Sequence, residues 1–459
     1  MWSRIVDVAV RYRVGLTPLQ NGHYTVYHDD LAAAARGLGH DVLILCGSSG
    51  NAADGVDACL PEDDVTALAQ ELTARIRPGD LVMVYEGSVA LLEAMVPLAD
   101  AAADAMFVVN LFRPESGIDA LGAVSQVGGE ALRSLGSALP PNLRPTADTP
   151  ERVVLARRAG LPVRAAWSLH SIVATVPPSE RVRHEVAPLR VLVPLRPGGF
   201  DPGPIGDVAY AARRLSREAG DVVRLSVTRP AEPAFKARVR GDRLARLGVE
   251  LIQPSSERAS YAAMFAAHDV VWIAGGYDFT NGYVTQSSGK TLDALAAGVP
   301  VLGAAGTTVA REPLRWSELP LGVDGRDEAV DALLALVVQA TSLGAHLRAQ
   351  QDAIRAAYAP EMTIRRVLEV AELADDAWAD PLLDRPADLS RSAGHRVPVD
   401  SSDRRVPRPP LERIRAHLEV RRAIHIPVSQ RVWWSARGRL GRLKTAFLSW
   451  RRPARPSSL

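Results

Sequence analysis

The chain has 459 residues, roughly three times a common domain size, so two folded domains plus a further segment are expected. Hydrophobic residues make up 47% and charged residues 23%, which excludes a wholly disordered, collagen-like or polytopic membrane chain. The net charge of +2 hides a split, because residues 401–459 hold 15 Lys and Arg against 3 Asp and Glu, a net +12 that leaves residues 1–400 at −10.

Aromatic residues are only 5%, so the core must be small and aliphatic, as in parallel sheets covered by helices. Two cysteines, Cys46 and Cys59, make neither a disulfide framework nor a thiolate metal cage, and free thiols in a reducing compartment are expected. The first residues, MWSRIVDVAV, carry Asp7 inside a short apolar run, which does not suit an export signal. No stretch of 18 apolar residues predicts a spanning helix.

In chain order, the first unit reads as a strand over Ile5–Val10, a Gly-containing loop to Gly22, a helix through Leu31–Leu38 ended at Gly39, and a strand over Asp41–Cys46. A helix through Val65–Ile76, a strand Leu81–Tyr85, a helix Val89–Ala103 and a strand Met106–Leu111 continue the alternation. This predicts a doubly wound N-terminal α/β domain over 1–185. Residues 120–188 are richer in Pro and Ser, and the boundary is placed near 178–188.

A second α/β domain, 186–375, begins with a strand Arg190–Leu195 running into Arg196-Pro-Gly198-Gly199-Phe. A helix Ile205–Ser216, strands Val222–Val227 and Val249–Ile252, a helix Tyr261–Ala267 and a strand Val270–Ala274 follow. A helix Lys290–Ala297 and a strand Val299–Leu302 complete the pattern.

The most informative stretch is Ser287-Ser288-Gly289-Lys290-Thr291-Leu-Asp293-Ala-Leu-Ala-Ala-Gly298-Val-Pro-Val301. Small residues at a loop-to-helix junction leave backbone N–H groups unshielded, and the helix dipole adds about 0.3–1 kcal/mol of attraction for an anion. The junction suits phosphate, Gly298 suits a left-handed cap, and Asp293 stands one turn in, within reach of a ribose hydroxyl. A P-loop reading fails on spacing, since Val284 stands where that motif needs Gly and Gly282 lies two positions too early.

These residues resemble the signature Ser…Glu-Ala-x-Ala-x-Gly-x-Pro-Val of the retaining GT-B glycosyltransferases (group 1, family 4-like). Two further segments, over about residues 1–375, carry the resemblance. Asn21-Gly22 with Gly39-His40-Asp41-Val42 is similar to the family's opening, and Tyr261–His268 with Asp269-Val270-Val271 is similar to its helix and Asp-Val strand before the donor site. The resemblance implies two Rossmann-like domains facing a cleft, a nucleotide-diphosphate sugar as donor substrate, no resident cofactor, no metal, and transfer with retention. It places Arg196 as a charge stabiliser on the diphosphate, and Lys290, at the helix start, is the candidate to stand in for the family's companion Lys. Gly198, Gly199, Thr285, Ser287, Ser288, Gly289, Thr291 and Asp293 fall around the donor, and Gly22, His23, Glu86 and Asn110 on the acceptor side.

Three departures stand out. Thr285 occupies the position of the family's first Glu, Asp201 that of a companion Lys, and Asn110–Phe112 lack the family's His. A GT-B-shaped sugar-nucleotide-binding protein with altered catalysis is therefore the alternative. The tail, 376–459, reads as a Pro/Arg-rich linker followed by an amphipathic stretch at 428–452. There Trp433, Ala436, Leu440, Leu443, Phe447 and Trp450 recur every three or four residues, with Arg431, Arg439, Arg442, Arg451 and Arg452 largely off that stripe. This predicts peripheral contact with an anionic membrane surface and a glycan or lipid-linked acceptor at its cytoplasmic face, the alternatives being a stripe packed back onto the acidic body or a disordered basic tail. A nucleic-acid partner is not expected, because the body lacks a matching basic charge.

Overall fold

The structure is a computed structural model of the chain. It describes residues 2–9, 24–46, 58–59, 70, 72–87, 89–111, 126–149, 152–153, 156–157, 160–164, 170–178, 188–194, 202–219, 223–228, 244–253, 255, 257–273, 289–304, 316, 322–323, 330–331, 333, 342–373, 411 and 415. The first sheet comprises β1 (Arg4–Ala9), β2 (Asp41–Cys46), β3 (Ala58–Cys59), β4 (Asp80–Gly87), β5 (Met106–Leu111) and β6 (Leu143–Ala147). The second comprises β7 (Leu189–Val193), β8 (Val223–Thr228), β9 (Val249–Ile252), β10 (Val270–Trp272), β11 (Val301–Ala304) and β12 (Gly322–Val323). Intervening helices are α1 (Tyr24–Gly37), α2 (Val89–Ala101), α3 (Gln126–Ala138), α4 (Pro202–Ala219), α5 (Arg258–Ala266), α6 (Gly289–Ala296), α7 (Gln351–Ala357) and α8 (Pro360–Glu372).

Both sheets are wholly parallel and wound alike, in the orders β3-β2-β1-β4-β5-β6 and β12-β11-β10-β7-β8-β9. Each therefore has one point where the winding reverses, between β1 and β4 and between β7 and β10. Crevices for ligands open there, beyond the carboxyl ends of the strands.

The period of two along each strand sorts the core into three bodies. Val6, Val8, Phe107, Val109 and Leu111 face a core with α2, and Val191, Val193, Val270 and Trp272 face one with α4. Their alternates, Ile5, Met83 and Val108 from the first sheet and Leu192, Val271 and Val301 from the second, share a single third core. Tyr27 and Leu31 of α1, Leu292 and Leu295 of α6, and Ile364 and Val367 of α8 complete it. The two domains are thus joined by apolar burial.

Several elements depart from the sequence expectation. Helix α1 begins at Tyr24, two turns before Leu31. Its first residues look polar, but Tyr27 is buried with Leu31, Ala34 and Ala35, an i, i+4, i+7, i+8 face. Within 120–188, read as Pro-rich punctuation, the chain forms α3 and the strand β6. Pro145 is tolerated because β6 is an edge strand that pairs only with β5, and its carbonyl accepts from the Arg164 N–H at 3.2 Å. Of the helix expected over 65–76, residues 70, 72 and 73 are helical.

Helix α8, assigned by sequence to the second domain, packs on α1 and β5 of the first. Arg144 of β6 fixes it there, donating from Nη1 to the Val370 and Leu373 carbonyls at 2.5 and 2.6 Å and so satisfying the last turn of the helix.

Gly298, expected as a left-handed cap, has φ +72° after α6, and a Cβ there would meet Arg348 Cγ at 2.9 Å. Gly298→Ala is expected to destabilise the protein by about 1–2 kcal/mol, read as a lowered urea midpoint with an unchanged m-value.

Candidate functional site

Most of the sequence-selected residues lie in segments that adjoin described elements along the chain. Residues 195–201, with Arg196, Gly198 and Gly199, follow β7, and 274–288, with Thr285, Ser287 and Ser288, lead from β10 into α6. Gly22 and His23 lie between β1 and α1. These residues are themselves outside the described set. Glu86 is in β4, where the pairing with β5 shifts between Val84 and Gly87, beside the end of β5 that carries Asn110. Asn110 is fully buried, so its side chain is part of the interior beneath the carboxyl end of β5.

Helix α6 is the best-defined wall of the site. Lys290 Nζ donates to the Pro194 carbonyl at 3.1 Å, which sets a positive charge where β7 runs out and ties α6 across the β7–β10 reversal. Gly289 begins the helix against Tyr27 of α1; a Cβ there would stand 2.7 Å from the Tyr27 hydroxyl. The amino end of α6 therefore meets the first domain directly. Thr291 is buried, and its Oγ1 has no hydrogen-bond partner among the described residues.

Asp293, one turn further, is 1% exposed. Ser171 Oγ donates to its Oδ1 at 2.7 Å and the Tyr261 hydroxyl to its Oδ2 at 3.2 Å; the Val173 N–H donates to Ser171 Oγ at 3.2 Å, and the amides of Ile172 and Val173 favour the charged form of Asp293. Burial pushes its pKa up to about 6, against the lowering effect of those donors. Burial beside Asp293 likewise pushes Tyr261 well above the usual phenol range, so it stays a donor.

A second carboxylate, half-buried, joins three segments. Asp30 of α1 accepts from His170 Nε2 at 3.0 Å and from Arg258 Nη1 of α5 at 2.7 Å, and Arg258 also donates to Thr175 Oγ1 at 2.8 Å. Burial lowers the pKa of His170, so a neutral ring with the proton on Nε2 fits this geometry. Its ring lies edge-on to Tyr27 at 5.2 Å. Behind α1, His28 Nδ1 and Asp7 Oδ2 pair at 2.7 Å, both buried.

Sequence reasoning missed Tyr27, Asp30, Ser171, His170, Tyr261 and Arg258 as neighbours of the site. The continued apolar face of α1 was a usable signal for Tyr27; the others come together only through tertiary contact. Two of the motif segments serve the opposite edge. His40 Nδ1 donates to the Trp2 carbonyl at 2.9 Å beside the start of β1, and Asp269 Oδ2 accepts the Arg190 N–H at 2.8 Å at the start of β7. Among the described residues no group of three or more His, Cys, Asp or Glu is placed to hold a metal ion, and no helix is long and apolar enough to cross a membrane.

No family model and no curated protein matches the chain by sequence. Solved structures match it by shape. The sucrose-phosphate synthase of Thermosynechococcus elongatus superposes with TM-score 0.54 at 12% identity, covering 80% of this chain and 98% of that one. A trehalose-6-phosphate structure from E. coli bound with UDP-2-fluoro glucose gives 0.54 at 14%, covering 81% and 100%. HepE from Anabaena in complex with UDP gives 0.52 at 14%, covering 80% and 99%. The fold is GT-B. In this GT-B chain the Asp30 and Asp293 networks both lie where the two domains join.

The raised pKa of Asp293 has a defined sign. Between its unfolded value near 3.8 and about 6 the folded state binds more protons than the unfolded state, so the Asp293 contribution to stability is greatest at low pH and is lost as pH rises through about 6. His170, whose pKa is lowered, acts in the opposite sense over its own range. The difference between wild type and Asp293→Asn isolates the first: the wild type is expected to lose stability relative to the variant from pH 4 to 6 and to hold level above, measured by urea unfolding across that range.

Proposed function

We propose that the chain is a glycosyltransferase that moves a sugar from a nucleotide-diphosphate sugar to an acceptor hydroxyl, with retention and without a metal. The observation that carries the reading is the amino end of α6 at the β7–β10 reversal, tied by Lys290 to Pro194 and abutting Tyr27 of the facing domain. The nucleotide ligands of the E. coli and Anabaena structures, of the same fold, support it. In the reaction the bond from the sugar's anomeric carbon to the diphosphate oxygen breaks and the acceptor oxygen bonds to that carbon. The acceptor's proton leaves with the nucleoside diphosphate. Negative charge grows on the departing phosphate, and Arg196, Lys290 and the amides of Ser288 and Gly289 are assigned to stabilise it.

Gly198, Gly199, Thr285 and Ser287 are assigned to the rest of the donor pocket, and Thr291, 1% exposed, to the interior behind it. Gly22, His23 and Glu86 are assigned to the acceptor side. The alternative, a sugar-nucleotide-binding protein with altered catalysis, rests on Thr285, whose hydroxyl does not supply the charge of a carboxylate beside the transferred sugar.

A panel of nucleotide sugars screened by thermal shift, followed by product analysis, tests the reading. A donor at 100 times its dissociation constant adds about 2.7 kcal/mol of stability. Transfer with the stabilising donor, unchanged by EDTA, supports the enzyme; binding without transfer supports the alternative. Arg196→Ala is expected to lower kcat/KM by about 10²–10³, the cost of one lost oxyanion donor. Wild-type turnover in that variant removes Arg196 from the site.

The tail at 428–452 lies outside the described residues, and its role rests on its apolar stripe and basic charge. We assign it to an anionic membrane surface, with a glycan or lipid-linked acceptor there and each Arg near the surface contributing about 1 kcal/mol. The full chain is expected to float with anionic vesicles at low salt and not at high salt or with neutral vesicles, whereas a chain ending at Asp400 does not float. Equal flotation of the two rejects the tail as the contact.

A further inference from the structure

The crossover between the two domains, residues 170–175, is held by both. His170 reaches Asp30 of α1 in the first domain at 3.0 Å. On the second-domain side the Ser171 N–H donates to the Tyr358 carbonyl at 2.9 Å, and Arg355 Nη2 donates to the Ala174 carbonyl at 2.9 Å. Arg355 and Gln351 also reach the Ala296 carbonyl at the far end of α6, the latter at 3.0 Å. The centre of the arrangement is Asp293.

An ionised carboxylate offers about four lone-pair sites. Here Ser171 Oγ and the Tyr261 hydroxyl donate to its two oxygens, the Val173 N–H donates to Ser171 Oγ at 3.2 Å, and the amides of Ile172 and Val173 favour the charged form. At 1% exposure the group has no open face toward a ligand. Its position in α6 is one turn from Gly289, where the helix touches Tyr27.

We propose that Asp293 is a positioning residue whose carboxylate clamps the interdomain crossover to the first turns of α6, setting where the amino end of that helix stands against α1. The donor ribose is then read by other groups. Its consequence for ligand affinity rests on the donor-site reading above, whereas the clamp itself does not.

Three variants, Ser171→Ala, Tyr261→Phe and Asp293→Asn, separate the possibilities, and the first two keep the test open if the third folds poorly. The first measurement needs no nucleotide. Hydrogen exchange in the ligand-free chain is expected to quicken at the amides of 172–173 and of 293–296, the latter bonded back to the first turn of α6, in all three variants. Unchanged exchange at both places overturns the clamp.

The second measurement is calorimetric titration with UDP, GDP, ADP and their 2′-deoxy and 3′-deoxy forms, on protein whose unfolding midpoint lies well above the assay temperature. Each variant is expected to weaken the best-bound nucleotide and its deoxy forms by the same factor, about three- to tenfold, the scale of one hydrogen bond. The ribose-to-deoxyribose ratio is expected to stay at its wild-type value. A ratio lost in Asp293→Asn but kept in Ser171→Ala and Tyr261→Phe overturns the proposal in favour of a direct ribose contact. Affinities unchanged in all three overturn it as well. If the wild type binds none of the panel, the donor reading fails, and the exchange measurement alone decides the clamp.

Discussion

The structure depends on the apolar layer shared between the two sheets. Burying one face of each sheet in a separate core would leave the other face of each exposed. Instead, the alternates Ile5, Met83 and Val108 and Leu192, Val271 and Val301 face one body of side chains, closed by α1, α6 and α8. At about 25 cal/mol per Å² of buried apolar surface, such a layer favours keeping the domains together strongly, but it is non-directional. Direction comes from the polar groups that cross it.

Among the described residues, Asp30 and Asp293 are each satisfied from more than one segment. Asp30 takes donors from the crossover and from α5, Asp293 from the crossover and α5 as well, and Arg144 caps α8 from β6. An unpaired carboxylate in this layer would cost several kcal/mol, so the partners must arrive together as the domains close. Registry between the domains is thereby specified at points close to the amino end of α6. The candidate site inherits its geometry from these contacts.

The neighbours in shape share at most 14% identity with the chain among the three described, yet they match its fold over about four fifths of its length. Function resides in the site and not in the fold. In this chain Thr285, Asp201 and Asn110 differ from the resembled pattern. Helix α6 illustrates the division. Leu292, Ala294, Leu295 and Ala296 are buried, while Gly289 and Lys290 at its start are half-buried at the cleft.

The sequence by itself determined the alternation of strands and helices, the parallel sheets, the caps at Gly39 and Gly298, and the loop-to-helix junction before Lys290. These are local properties: a run such as Val42–Leu45 or a Gly at φ +89° is constrained by its own neighbours along the chain. Only the tertiary structure decided that Pro145 sits in an edge strand, that α8 returns to the first domain, and that α1 starts early on Tyr27. It likewise decided the surroundings of Asp293. Spacing put that carboxylate one turn from an anion site, but Ser171 is 122 positions away in sequence and Tyr261 is 32, and no periodicity records such separations. Whether a charged side chain faces a ligand or closes a buried network depends on which donors the folded chain brings to it.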